Sequence, residues 1–152
     1  MNVDLPAASR AAAALLQGEV VRMRARGIPV GEDDLRGLYI SDQEADRIVA
    51  TAGEPGPPRE PSPHEAALID ALGPRLLSLS SKFGLSEPEI GLVGLCLVAE
   101  TNPEIERLIA YVQDDVSKKR IRAEVALRLF FGYEPAAQTA FDLDRQIGRA
   151  HV

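Results

Sequence analysis

The side chains able to do chemistry are few, and their spacing keeps them apart. His64 stands beside a proline-rich stretch and His151 is the penultimate residue. Neither has a cysteine or carboxylate at a metal-ligand spacing, so a solvated or capping role is expected of both. Cys96 lies in the most apolar segment. No neighbouring residue supplies the base or positive charge that would make its thiol a nucleophile, and a packing role is expected. Asp33–Asp34 and Asp114–Asp115 are adjacent carboxylates. Sequence neighbours point to different sides of a helix, so these belong in solvated loops or at helix ends rather than in a proton-sharing pair.

Nucleotide hydrolysis asks for a phosphate loop, Gly-x4-Gly-Lys-Ser/Thr, whose backbone N–H groups and lysine hold the phosphates. The chain has three lysines, Lys82, Lys118 and Lys119, and none follows a glycine. Ala66 to Asp70 has the outline of an apolar strand ending in a magnesium-binding aspartate, yet Ala71 stands where a catalytic glutamate is required. No catalytic, metal or cofactor-binding constellation remains, and the chain is expected not to be an enzyme.

Binding is the remaining chemistry. Lys118, Lys119, Arg120 and Arg122 place four of the 17 basic residues within five positions. Three roles are open to them: holding phosphate, meeting an acidic partner surface, or offsetting Asp114 and Asp115 beside them. The cluster follows two consecutive helical patterns, at 87–99 and 103–114, that could form a helix-turn-helix. The second helix of such a pair enters the major groove with its first turns. Here those turns read Pro103-Glu104-Ile105-Glu106-Arg107, two acids to one base, which phosphates repel. The net charge of −6, the 5% aromatic content and the absence of Trp point the same way.

The elements that must position these residues are helical. Four Ser/Thr-x-x-Glu boxes occur, at Ser41/Glu44, Ser62/Glu65, Ser86/Glu89 and Thr101/Glu104. In each, the hydroxyl can accept a free N–H of the first turn while the glutamate reaches back. Pro63 suits a first helical position, and Leu85 can staple onto Ile90. Residues 6–26 are alanine-rich, with Leu16, Val20 and Met23 on one stripe, and Arg22, Arg24 and Arg26 suit the negative end of the helix dipole. A second short helix runs from the Ser41 box to about Ala52. Five of the 11 prolines fall in 53–63, a semi-rigid linker. Beyond it we expect a helix over 65–83 broken at Gly73–Pro74, helices near 87–99, 103–114 and 121–131, Gly132 as a stop, and a last helix at 136–146.

The run Ile90 to Ala99 is apolar apart from its glycines, and periodicity alone allows either a buried strand or a helix. The Ser86 box favours helix, one that neighbours wrap on all sides. At ten residues the run is half a membrane span. A single cysteine excludes an intramolecular disulfide and suits a reducing, cytoplasmic setting.

Two stretches carry a resemblance. Leu35-Arg-Gly-Leu-Tyr-Ile-Ser-Asp-Gln-Glu-Ala-Asp-Arg47 is one. The other joins Phe83–Glu89, Leu95–Glu100, Ile109-Ala-Tyr-Val-Gln-Asp-Asp-Val-Ser-Lys-Lys-Arg120 and Ala126–Leu129. Together they resemble the winged-helix-type domain, and the segment upstream of it, in a family of bacterial AAA ATPases. The likeness spans roughly 35–131. Relatives commonly open the next helix with Pro-Thr, where Ile121 and Arg122 stand here.

The resemblance implies a longer parent whose ATP- and magnesium-binding module lies downstream of this domain. Ile147 to Val152 looks like one reading frame of a sequencing-library adapter, and we expect the natural protein to have been cut there. Tyr111 reads as an amphipathic anchor at a helix end, with Gln113, Asp114 and Asp115 capping the turn that follows. For these four, architecture is favoured over partner contact.

The expected fold is all-α: a helical bundle of winged-helix or helix-turn-helix type over 64–146, preceded by a mobile helical arm over 1–52. A β wing cannot be located. The expected function is a non-catalytic N-terminal module that contacts a protein partner, without nucleic acid or membrane. Possible partner-binding residues are Lys118, Lys119, Arg120 and Arg122. The alternatives are a DNA-binding helix-turn-helix protein and a helical oligomerisation module in which residues 6–26 pair between subunits.

Overall fold

The computed structural model describes residues 3–25, 42–52, 62–113, 117 and 120–131. Along the chain run α1 (Leu5–Ala25), α2 (Asp42–Thr51), α3 (Pro63–Leu72), α4 (Pro74–Phe83), α5 (Glu87–Thr101), α6 (Pro103–Val112) and α7 (Ala123–Ala126). A π-helical turn, Leu127–Phe131, continues α7. No strand occurs among the described residues, as an all-α fold requires. The stop expected at Gly132 and the last helix expected at 136–146 lie outside them, as do Ser41, Arg26 and His151.

Local chemistry explains where the helices begin and end. Asp4 caps α1, its Oδ1 accepting the Ala7 N–H at 2.9 Å. Ser62 caps α3 by accepting the His64 N–H, with Pro63 in the first turn. Gly73, at φ 73°, ends α3 and Pro74 opens α4, so the expected break falls at Gly73–Pro74. At α5, the Ser86 N–H donates to Glu89 Oε2 at 2.7 Å, the reach-back of the expected box.

The Thr101/Glu104 box is corrected. Thr101 is the last residue of α5, and its hydroxyl donates back to the carbonyls of Leu97 and Val98. The cap of α6 is Asn102, whose Oδ1 accepts the Glu104 N–H at 3.0 Å. The helix pair is therefore joined across one residue.

The apolar run is a helix. Gly91 and Gly94 are buried there, and a Cβ on Gly91 would sit 2.8 Å from Phe130 Cε1. Neighbours do not wrap α5 on every side, however. Leu97 and Cys96 are exposed, so the packing role expected of Cys96 gives way to a surface one.

The larger correction concerns the mobile arm. Helix α1 is built into the core: Ala8, Ala12 and Leu16 have no exposed surface, and Val20 and Met23 are buried with them. Small alanines let α3 lie close against α1, while α5, α6 and the π turn complete its cover. Polar ties hold it along its length. The Asp4 N–H donates to Ala71 O at 2.9 Å. Asn102 Nδ2 donates to Ser9 Oγ at 3.1 Å, and Arg24 Nη2 to Tyr111 Oη at 2.9 Å. Glu19, at 3% exposure, pairs with Arg128 across the core and with Arg22 on its own helix. By contrast, no described side chain of α2 is buried.

A candidate partner-binding groove between the paired helices

Two residues of the expected motif act as architecture. Tyr111 packs its half-buried ring on the core and accepts the Arg24 bond described above. Gln113 ends α6, and its side-chain amide grips the returning chain with both ends. Its Nε2 donates to Arg120 O at 3.1 Å, and its Oε1 accepts the Arg122 N–H. The amide thus pins residues 120–122 against the end of α6, a task that needs one donor and one acceptor on a single planar group.

Pinning that segment creates a third wall. Between α5, α6 and residues 120–121 lies an open groove of about 440 Å³. Leu95 and Ala99 of α5, Ile109 of α6 and Ile121 make it apolar. Its charged lining residues among those described are Glu100 of α5, Glu106 of α6 and Arg120 of the third wall. Cys96 also lines the groove. Partial burial, and after it the Glu100 carboxylate one helical turn on, push its thiol above the usual cysteine range. Such a thiol stays protonated at neutral pH and is a poor nucleophile.

Of the expected partner-binding residues, Arg120 and Arg122 are exposed beside Gln113. Lys118, Lys119, Asp114 and Asp115 lie outside the described residues. Sequence reasoning missed Glu100 and Glu106 as a pair. The available signal was their placement: Glu100 shares a face with Cys96 at i+4, and Glu106 stands one turn before Ala110 on the core side of α6. His64 is exposed, and Asp70 is an exposed residue of helix α3, not the end of a strand. Among the described residues no group of three or more His, Cys, Asp or Glu is placed to hold a metal ion. No helix among them is long and apolar enough to cross a membrane.

No curated protein and no solved structure matches the chain. A family model does: that of the winged helix domain, variant, over residues 62–141. The match takes in α3 to the π turn, with the helix pair and its groove, and covers more than half of the sequence. This chain belongs to the variant winged-helix domain family.

Proposed function

We propose that the chain serves as a non-catalytic protein-interaction module, the N-terminal domain of an AAA-family ATP-binding protein whose ATPase module lies downstream. The observation that carries the protein-contact reading is the charge of the helix pair. Glu100, Glu104 and Glu106 cluster around the joint of α5 and α6, and none of them forms an ion pair among the described residues. Phosphates approaching that face meet carboxylates where a DNA reader presents donors. The single-residue joint at Asn102 is also shorter than the usual turn of about 3–4 residues in a DNA-binding pair. The AAA parentage rests on the resemblance over roughly 35–131, and winged-helix membership is consistent with it.

Reading the genomic locus beyond codon 152 tests the parentage. A Gly-x4-Gly-Lys-Ser/Thr loop in the same frame is expected, and a native stop codon there would sink it. The purified 152-residue chain is expected to leave ATP intact, with no magnesium or nucleotide site of its own. A reducing cytoplasmic setting fits its single cysteine.

A DNA-binding role is the second reading, favoured by winged-helix membership and by the exposed Arg120 and Arg122. Fluorescence anisotropy with labelled duplex DNA decides it. Affinity that falls steeply with salt and drops on Arg120→Ala/Arg122→Ala would favour DNA. Pairing of residues 6–26 between subunits has less support, because the Leu16, Val20 and Met23 stripe is already covered within the chain.

A further inference from the structure

Resting on the protein-contact reading, we infer that the α5–α6 groove is the seat of a short partner segment presenting an aliphatic side chain next to a lysine or arginine. Its floor rests on the buried Leu95, Ala99 and Ile109, and its accessible apolar surface comes mainly from Ile121 and Cys96. Its volume, about 440 Å³, falls within the range of about 300–1,000 Å³ common to ligand sites. The apolar floor selects an aliphatic group, since burying a polar one there without partners is unfavourable.

Charge selects what flanks it. Glu100 and Glu106 line the groove and form no ion pair among the described residues. Among the described lining residues one cation, Arg120, stands against these two carboxylates, and its backbone carbonyl accepts the Gln113 bond. The balance of charge among those residues is negative, which favours a cationic side chain beside the aliphatic one over an acidic one. Glu106 is half-buried, so a cation meeting it is partly shielded from water and from salt. Gln113 acts as a positioning residue: without its two hydrogen bonds to residues 120 and 122, Ile121 and Arg120 lose their place in the wall.

The groove carries its own reporter, since Cys96 is the chain's single cysteine and lines it. The test selects a phage-displayed library of random dodecapeptides against the full chain. Enriched peptides should carry an aliphatic residue beside Lys or Arg, slow iodoacetamide alkylation of Cys96, and bind Glu100→Lys/Glu106→Lys about tenfold or more weakly. Prior labelling of Cys96 with N-phenylmaleimide should block the same peptides, which checks the groove without any substitution. Enrichment of acidic peptides, no enrichment, or peptides that ignore both the charge reversal and the Cys96 label would each overturn the groove assignment. Peptides bound elsewhere would leave the protein-contact reading standing. Salt-sensitive binding of duplex DNA with no peptide enriched would remove both.

Discussion

Glu19 of α1 and Arg128 of the π turn meet at 2.9 Å with side-chain exposures of 3% and 9%. The contact is an ion pair without hydrogen-bond alignment, because the Arg128 Nε–H does not point along it. Arg22 and Glu124 extend it to the surface on either side. It joins the first described helix to the last described element, and the charges inside it are shielded from solvent screening.

That pair should be costly to break and cheap to replace. Arg128→Leu is expected to lower stability by about 2–3 kcal/mol, somewhat under the cost of breaking an isolated buried pair, since Arg22 still faces Glu19. Glu19→Leu/Arg128→Leu should recover much of that loss, because no charge is left stranded. Urea unfolding of the singles and the double measures the coupling, and strictly additive effects would contradict it.

Removing residues 1–26 distinguishes a built-in helix from a detachable arm. With Ala8, Ala12, Leu16 and Val20 gone from the core, the remainder should lose its cooperative thermal transition. Circular dichroism melting reads this directly, and a truncated chain that melts sharply near the parent temperature would contradict the packing described.

The two buried glycines of α5 should respond differently to alanine. At Gly91 the new methyl meets the ring of Phe130, which has no exposed surface and nowhere to turn. At Gly94 it meets a terminal methyl of Leu72, which can adjust. Gly91→Ala is expected to cost about 1–3 kcal/mol, and Gly94→Ala to be near neutral as helix propensity offsets the contact. Denaturation midpoints of the two variants settle the order.

Cys96 should alkylate more slowly at mildly alkaline pH than an unstructured cysteine, since its raised pKa leaves less thiolate. Glu100→Gln removes one of the two causes, so the pH–rate curve should shift to lower pH. An unchanged curve would mean that the Glu100 charge does not reach the thiol.

Gln113→Ala should free residues 120–122 while leaving the helices intact. Amide hydrogen exchange at Arg122 is expected to accelerate, with a global loss of only about 1–2 kcal/mol. Gln113→Glu should rescue little, as a carboxylate cannot donate to the Arg120 carbonyl.

Much of the fold was legible because it is written locally. Ser86 and Glu89 lie within one helical turn, and so do Gly73 and Pro74, so short-range rules suffice for them. The choice between Thr101 and Asn102 was missed although Pro103 signals it: a proline at the first helical position makes the preceding residue the cap. Cys96 was misplaced because a run that is apolar at nearly every position has no period to say which side meets water. Glu19 sits on the same stripe as Leu16 and Met23, and a carboxylate there calls for a buried partner. Nothing local identifies that partner as Arg128. The groove was illegible for a related reason, since its third wall depends on a chain reversal that Gln113 holds from outside the segment itself.

The enclosure of α1 by elements reaching as far as Phe130 bears on biosynthesis. A ribosome extrudes the alanine stripe before the residues that cover it, α3 ahead of α5 and α6 and the π turn after them. Until that π turn emerges, the cover over Leu16, Val20 and Met23 is incomplete, and part of a sticky surface stays open on the nascent chain.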